Sequence, residues 1–152
     1  MQKGRPLIEL DSVAHSYSGG ELFNDVSLRL APGSFHFLTG PSGSGKTTFL
    51  KLCYGALVPT SGTVRIFGED VRSMSRDDIA YARRRVGVVH QDCQFLDHLS
   101  LRENLALPLT VSHHENLDDD ANLKELMGWV GLTARADAMP PELSGGERQR
   151  AA

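Results

Sequence analysis

The feature that most constrains the fold is the stretch GPSGSGKT at residues 40–47. It fits the pattern G-x-x-x-x-G-K-[ST], in which glycines let the backbone curl so that successive N–H groups point inward at phosphate oxygens. The helix that follows such a loop adds its positive N-terminal end. Lys46 can then reach the β- and γ-phosphates of a nucleotide, and Thr47 offers a hydroxyl to Mg²⁺. The stretch therefore predicts a nucleotide-binding P-loop.

The residues on either side of the loop have the pattern that a P-loop requires. FHFL at residues 35–38 predicts a short strand that runs directly into the loop. After Gly45 the apolar period changes from two to helical, and one face is formed by Phe49, Leu52, Cys53 and Ala56. Kinases, GTPases and transport ATPases share this loop, so it does not decide among them. The loop residues predicted to contact a nucleotide are Gly40, Pro41, Ser42, Gly43, Ser44, Gly45, Lys46, Thr47 and Thr48.

The rest of the first 91 residues predicts an α/β core. Alternating apolar residues predict strands at residues 7–13, 26–30 and around Val64 and Ile66. SRDDIAYARRR predicts a helix, with Ser75 as its N-cap and Asp78 three positions later. The continuous apolar run at residues 86–89 is typical of a strand buried on both faces. A strand, a glycine loop, a helix and another buried strand together indicate an α/β fold.

From Asp92 onward the pattern becomes helical. LSLRENLALPL and DDDANLKELMGWVG both predict helices, and Gly131 supplies a C-terminal stop for the second. No strand pattern occurs between Leu99 and the end, and the pair His113 and His114 is interpreted as a solvated loop. We therefore expect a P-loop core with N-terminal β-strands at residues 1–91 and a helical subdomain at residues 92–152.

The composition excludes several other classes of protein. A chain of 152 residues with 40% hydrophobic and 23% charged residues is typical of one soluble globular domain. A net charge of −3 gives no basic surface for nucleic acid. Cys53 and Cys93 have no C-x-x-C spacing, which argues for two buried apolar cysteines in a reducing compartment. No apolar run approaches the roughly 18 residues needed to span a bilayer, so work at a membrane requires a partner.

A second motif, LSGGE at residues 143–147, narrows the class. Ser144 and Glu147 form a capping-box pattern, which predicts that a helix begins there. A serine and two glycines at a helix N-terminus predict a second anion site, at Ser144, Gly145 and Gly146. Together with the P-loop about a hundred residues upstream, this stretch resembles the signature motif of the ATP-binding cassette (ABC) family.

Two more residues fit the same resemblance. Tyr17, in HSYSGG, matches the aromatic residue that stacks on adenine in these cassettes. Gln91 matches the family's glutamine that touches Mg²⁺ or the attacking water, although His90 stands before it where many relatives carry an aromatic residue. The resemblance runs from about Leu7 to the last residue. It implies catalytic roles for Lys46 and Gln91 and Mg²⁺ contacts from Thr47 and Gln91.

The resemblance also implies how the protein works. ATP and Mg²⁺ bind in a P-loop NTPase fold, two chains form a head-to-tail homodimer, and ATP is hydrolysed. An integral membrane partner docks on the helical subdomain, and the chain lies in the bacterial cytoplasm at the inner face of the plasma membrane. In the family the signature helix leads into an apolar strand ending in Asp-Glu, and later a switch histidine follows. These residues do not occur among residues 1–152, so we expect a C-terminally truncated cassette that does not hydrolyse ATP alone.

Within the family, several longer stretches resemble the cell-division type of ABC ATPase. They include FLTGPSGSGKTT and RRRVGVVHQDCQFLDHLSLRENLALPL. The lipoprotein-releasing and macrolide-export types share LSGGERQR and are the nearest alternatives. An ABC ATPase of the DNA-repair or translation kind, and a non-hydrolysing nucleotide-binding module, also stay open at this point.

Overall fold

The computed structural model describes residues 5–18, 20–111 and 119–152. These residues form two compact units. The first, which we call the sheet unit, extends to Gly87, and the second, the helical unit, is Val88–Ala152. Each unit has its own hydrophobic core. The domain boundary expected after Gln91 stays a prediction.

The sheet unit is built on four strands. They are β1 (Ile8–Tyr17), β2 (Gly20–Leu30), β3 (Ser61–Ile66) and β4 (Glu69–Asp70). The strand order is β2-β1-β3-β4, and all neighbours run antiparallel. The three strands expected from alternating apolar residues are confirmed, while the two-residue strand β4 gave no pattern in the sequence. With the helices described below, the α/β class is confirmed.

Strand β1 is irregular at its centre. Ser12 has a φ of 46°, and the pairing with β2 shifts between Leu10 and Val13 and again before His15. Because of these shifts, the buried side chains are not those of a strict alternation: Leu10, Val13, Ala14 and His15 are all buried. His15 pairs directly with Phe23 on β2.

Two helices complete the sheet unit. Helix α1 (Lys46–Cys53) follows the glycine loop, and helix α2 (Arg76–Arg84) begins after Ser75. The predicted N-cap of α2, Ser75, is confirmed. It forms a capping box, since the Ser75 hydroxyl accepts from the Asp78 backbone N–H and the Asp78 carboxylate accepts from the Ser75 backbone N–H. The core joins the sheet to these helices and consists of Leu10, Val13, Leu52, Cys53, Val64, Ile66, Val71 and Ala82.

Two predicted strands are wrong. Residues 35–38 and residues 86–89 are not in strands, and the side chains of Phe35 (80%) and Phe37 (83%) are largely exposed. Strands of a parallel sheet take hydrogen bonds from neighbours and bury both faces. Among the described residues no strand pairs with either stretch, so these apolar residues have no sheet in which to be buried.

In the described residues, the helical unit contains no strand, as the sequence predicts. It has α3 (Leu101–Val111), α4 (Asp119–Trp129) and α5 (Gly145–Ala151), with 3₁₀ turns at Thr133–Arg135 and Pro140–Glu142. Gly131, with a φ of 69°, lies just after α4 in the left-handed conformation of a helix stop. The core of the helical unit consists of Leu101, Leu123, Met127, Leu132 and Leu143. His113 and His114 lie outside the described residues.

Several single residues complete the description. Trp129, the one tryptophan of the sequence, is 77% exposed at the end of α4. Cys53 is buried and free, as expected, and burial raises the pKa of its thiol to about 11. Cys93 is only half-buried, contrary to the prediction, and it lies in a loop outside the helices and strands. None of the described helices is both long enough and apolar enough to cross a bilayer.

Candidate nucleotide-binding site

The glycine loop curls tightly before α1. The backbone N–H of Ser44 donates to the Pro41 carbonyl at 3.3 Å, and Gly45 is the N-cap of α1 with a φ of 86°. A Cβ atom at Gly45 would lie 2.9 Å from a methyl carbon of Leu22 on β2. The left-handed backbone at position 45 therefore favours glycine, and a Cβ there would also force the Leu22 side chain to move.

Lys46 folds back over this loop. Its Nζ atom donates to the carbonyl of Gly40 at 2.8 Å and to that of Pro41 at 2.7 Å. These contacts hold the ammonium group beside the first residues of the loop, at the N-terminal end of α1. Three donors on one ammonium can be shared between carbonyls and phosphate oxygens. The geometry fits a cation that meets a phosphate in the loop.

Tyr17, at the end of β1, lies next to the same helix. Its hydroxyl is 3.3 Å from the hydroxyl of Thr48 in the first turn of α1, within hydrogen-bonding distance. The side chain is 51% exposed, so about half of it remains available to a ligand. The structure thus brings together Tyr17 and the P-loop helix, which are about thirty residues apart in the sequence. Stacking on a base stays a prediction.

A series of ring contacts joins the sheet to the P-loop helix. The rings of His15 and Tyr17 are 4.8 Å apart, and those of His15 and Phe23 are 6.3 Å apart. Phe23 in turn contacts Phe49 of α1, with 6.2 Å between ring centroids. Ring packing therefore holds strands β1 and β2 to helix α1, which carries Thr48.

The predicted metal ligands, Thr47 and Gln91, lie in different units. Thr47 is exposed in the first turn of α1, directly after Lys46. Gln91 is exposed in a turn of the helical unit. Mg²⁺ is commonly held by one or two protein oxygens together with phosphate oxygens, and the accessible Thr47 hydroxyl fits that donor set. The described residues contain no cluster of three or more His, Cys, Asp or Glu side chains that would hold a metal alone.

The signature residues form the predicted helix start. The Ser144 hydroxyl accepts from the Glu147 backbone N–H at 3.3 Å and donates to the Glu147 carboxylate at 2.7 Å. That carboxylate also accepts from the Ser144 backbone N–H, and it contacts Arg135 at 3.0 Å. The hydrogen bonds from Ser144 hold the pKa of Glu147 below its usual range. Gly145 and Gly146 are the first two residues of α5.

Asn104 is a residue that the sequence did not single out. It is buried in α3, and its side-chain oxygen accepts from the Leu96 backbone N–H at 2.8 Å. Its side-chain nitrogen donates to the carbonyls of Leu96, Leu99 and Ser100 at 3.0–3.1 Å. This one side chain therefore fixes the loop between Gln91 and α3. An asparagine near the start of an apolar helix was the only signal for it.

His15 is the second residue that sequence reasoning missed. It is 7% exposed, and neither ring nitrogen has a hydrogen-bond partner. The only signal for it in the sequence was its place two positions before Tyr17. Regular strand periodicity gives no reason to expect a histidine among the buried side chains.

A curled glycine loop closed by its own lysine and followed at once by a helix defines a P-loop nucleotide-binding protein. The sequence profile of the ABC transporter family matches residues 23–152. The chain belongs to the ABC transporter family.

Two relatives and one solved structure show how far the similarity extends. The chain is 36% identical over 145 residues to the cell division ATP-binding protein FtsE of Bacillus subtilis, covering 95% of this chain and 64% of that protein. It is 38% identical over 151 residues to the lipoprotein-releasing system ATP-binding protein LolD 1 of Rhodopirellula baltica, covering 96% and 66%. The dimeric post-hydrolysis structure of the ATP-binding cassette MJ0796 bound to ADP and Pi superposes with a TM-score of 0.85 at 29% identity, covering 95% and 66%. The chain thus spans just under two thirds of the length of these proteins.

Proposed function

We propose that this chain is the nucleotide-binding portion of an FtsE-type ABC ATPase, which acts with an FtsX-type integral membrane partner in cell division. The observation that carries nucleotide binding is the contact between Tyr17 and Thr48, at 3.3 Å, beside a loop closed by Lys46. A base-stacking ring and a phosphate loop next to each other form a site for a nucleoside triphosphate. The 36% identity to FtsE supports the cell-division type.

Each residue of the site has a definite task in this proposal. Tyr17 stacks on adenine, and the backbone N–H groups of the loop bind the phosphates. Lys46 binds the β- and γ-phosphates and stabilises charge during phosphoryl transfer. Thr47 contacts Mg²⁺, which neutralises phosphate charge when it is bound. Gln91 contacts the same ion or the attacking water.

ATP hydrolysis requires more than these residues. A head-to-tail homodimer would place Ser144, Gly145 and Gly146 of one chain against the nucleotide on the P-loop of its neighbour. The dimeric assembly of MJ0796 supports that arrangement. The water-polarising carboxylate and the second Mg²⁺ ligand would come from an Asp-Glu strand end, which does not occur among residues 1–152. We therefore assign ATPase activity to the longer cassette and nucleotide binding to residues 1–152.

The membrane partner would dock on the helical unit. A cleft of about 580 Å³ opens there between the loop after Gln91 and helices α3 and α4, and apolar side chains such as Phe95, Leu105 and Leu126 line it. An amphipathic helix of a partner protein could place its apolar face in such a groove. The partner would hold the chain at the cytoplasmic face of the bacterial plasma membrane.

The alternative is the ATPase of a lipoprotein-releasing or macrolide-export type of transporter. The 38% identity to LolD 1 favours it as much as the FtsE similarity favours cell division. Both alternatives use the same nucleotide site and differ only in the membrane partner. The two alternatives are therefore distinguished by which membrane protein binds the helical unit.

Co-purification tests the partner. The chain is co-expressed with an FtsX-type membrane protein or with lipoprotein-releasing membrane subunits, each from the same bacterium. We expect FtsX-type protein to be retained and the other subunits to be lost. Leu126→Glu, in the cleft, should abolish retention, while Trp129→Glu, a matched change of an exposed apolar residue on the same helix but outside the cleft, should not. Retention of only the lipoprotein-releasing subunits would overturn the cell-division assignment.

A further inference from the structure

His15 occupies an unusual place for a histidine. It is 93% buried, since its exposed fraction is 7%, and both ring nitrogens lie inside without a hydrogen-bond partner. Buried polar atoms without partners lower stability, and an apolar residue of similar shape would avoid that penalty. The ring nitrogens therefore contribute nothing to the fold, and what His15 supplies is the packing of its ring.

The contact of His15 with Tyr17 suggests what the ring does. The two ring centroids are 4.8 Å apart and the ring planes are at 83°, an edge-to-face arrangement. Such pairs favour one relative orientation over others. The Tyr17 hydroxyl is held separately by Thr48 at 3.3 Å. Two contacts, one on the ring and one on the hydroxyl, therefore fix a side chain that is otherwise half exposed.

His15 is itself held firmly. It pairs with Phe23 across β1 and β2, and the two rings are 6.3 Å apart on the same face of the sheet. Phe23 packs on Phe49 of the P-loop helix. The orientation of the Tyr17 ring is thus tied, through rigid neighbours, to the helix that begins at Lys46.

We propose that His15 is a positioning residue, whose ring orients Tyr17 so that the exposed part of the tyrosine meets the base of a bound nucleotide. This inference rests on the proposed base-stacking role of Tyr17. His15 does not touch the ligand, because its polar atoms are inaccessible. Its contribution is to reduce the number of orientations that Tyr17 must give up on binding.

A purely structural role for His15 leads to a different expectation. Damage to the core would weaken the binding of every ligand of the P-loop, whether or not the ligand carries a base. A positioning role affects only ligands with a base. Inorganic triphosphate with Mg²⁺ has phosphates and no base, and it therefore separates the two roles.

The test uses calorimetric titration of the 152-residue chain and its variants with ATP, ADP and inorganic triphosphate. His15→Ala should weaken ATP and ADP binding equally, by about three- to tenfold, and leave triphosphate binding within about twofold. His15→Phe restores a ring at the position, so it should bind ATP like the original chain. In a Tyr17→Ala background, His15→Ala should have no further effect, because the residue it orients is gone.

Other outcomes overturn the proposal in distinguishable ways. His15 is structural if His15→Ala weakens triphosphate binding as much as ATP binding. It is also structural if His15→Ala lowers the ATP affinity of the Tyr17→Ala variant by its full amount. If Tyr17→Ala binds ATP normally, base stacking fails, and the inference about His15 fails with it, while Lys46 and the loop are untouched. Should the alanine variant not fold, His15→Leu fills the space without an aromatic ring and is compared with His15→Phe in the same titrations.

Discussion

Lys46 makes two hydrogen bonds to carbonyls of its own loop, and we expect a bound phosphate to replace them. A charge-assisted contact contributes on the order of 1.5–3 kcal/mol. We therefore expect Lys46→Ala to weaken ATP binding by roughly tenfold or more. Lys51→Ala is the matched control, since Lys51 lies exposed in the last turn of the same helix. Titration with a labelled nucleotide measures the affinity of each variant. Equal affinities for the two variants would contradict the role of Lys46.

At the scale of residues, the sequence predicted part of the site and missed the rest for a physical reason. The loop residues follow from a local pattern, since each glycine and the lysine act within a few positions of one another. The resemblance pointed to Tyr17, and the structure brings it to Thr48. His15 could not be predicted, because its burial depends on the irregular register around Ser12. Such a shift depends on tertiary pairing and has no local signature in this strand.

At the scale of elements, the helices were predicted best. Helix α2 begins after its predicted N-cap, Ser75, and α5 begins with the predicted capping box of Ser144 and Glu147. These interactions join residues three positions apart, so the signal is contained in the sequence. The strands expected at residues 35–38 and 86–89 depend instead on neighbours distant in the chain. Both stretches have the apolar composition of a strand, but composition does not supply the partner strand.

The hydrogen bonds of Asn104 are expected to stabilise one loop of the helical unit. Its four hydrogen bonds join α3 to the loop at residues 96–100. Asn104→Ala removes the partner that the side chain supplies to the partly buried Leu96 N–H and Leu99 carbonyl, whereas the Leu96 and Ser100 carbonyls keep backbone partners. A buried group without a partner costs about 1–3 kcal/mol, so urea denaturation should show a loss of about this size. Asn122→Ala, an exposed asparagine on α4, should change little. Equal midpoints for the two variants would show that water replaces the Asn104 contacts.

The capping box of α2 predicts a pH dependence. The hydrogen bonds from Ser75 hold the pKa of Asp78 below its usual range. Because the folded pKa is the lower one, the carboxylate stabilises the fold above its unfolded pKa of about 4, and this contribution is lost as pH falls through the folded value. Asp78→Asn should therefore lower the unfolding midpoint at neutral pH, and the difference should shrink as the pH is lowered through and below 4.

The control for this prediction is Asp77→Asn. Asp77 lies in the same first turn of α2 and has the same interaction with the helix dipole, but only Asp78 belongs to the capping box. The gap between the two variants therefore isolates the box. A gap that stays constant from pH 7 to pH 3 would show that the charge of Asp78 contributes nothing.

At the scale of the whole molecule, we make a prediction about ATP hydrolysis. Phosphoryl transfer to water requires a metal held in place and a nucleophile in line with the γ-phosphate. Residues 1–152 supply the phosphate loop, Tyr17 and Gln91, but no strand ending in Asp-Glu. We expect the purified 152-residue chain to bind ATP weakly and to release no phosphate above background. A chimera that continues after Ala152 with the corresponding segment of FtsE should hydrolyse ATP.

Two comparisons make this expectation decisive. Lys46→Ala in the chimera should abolish phosphate release, which excludes a contaminating ATPase. Hydrolysis by the 152-residue chain itself, lost on Lys46→Ala, would show that the water-polarising carboxylate lies within residues 1–152 and has been misassigned.

Trp129 has a consequence for how such measurements are interpreted. It is the one tryptophan, it belongs to the helical unit, and most of its indole already faces solvent. Its emission should therefore resemble that of a free indole in water and change little when the chain denatures. The P-loop and Tyr17 belong to the sheet unit, which has no tryptophan of its own. An indole introduced by Phe49→Trp, against Phe23 and beside the loop, would give the sheet unit an optical reporter of its own.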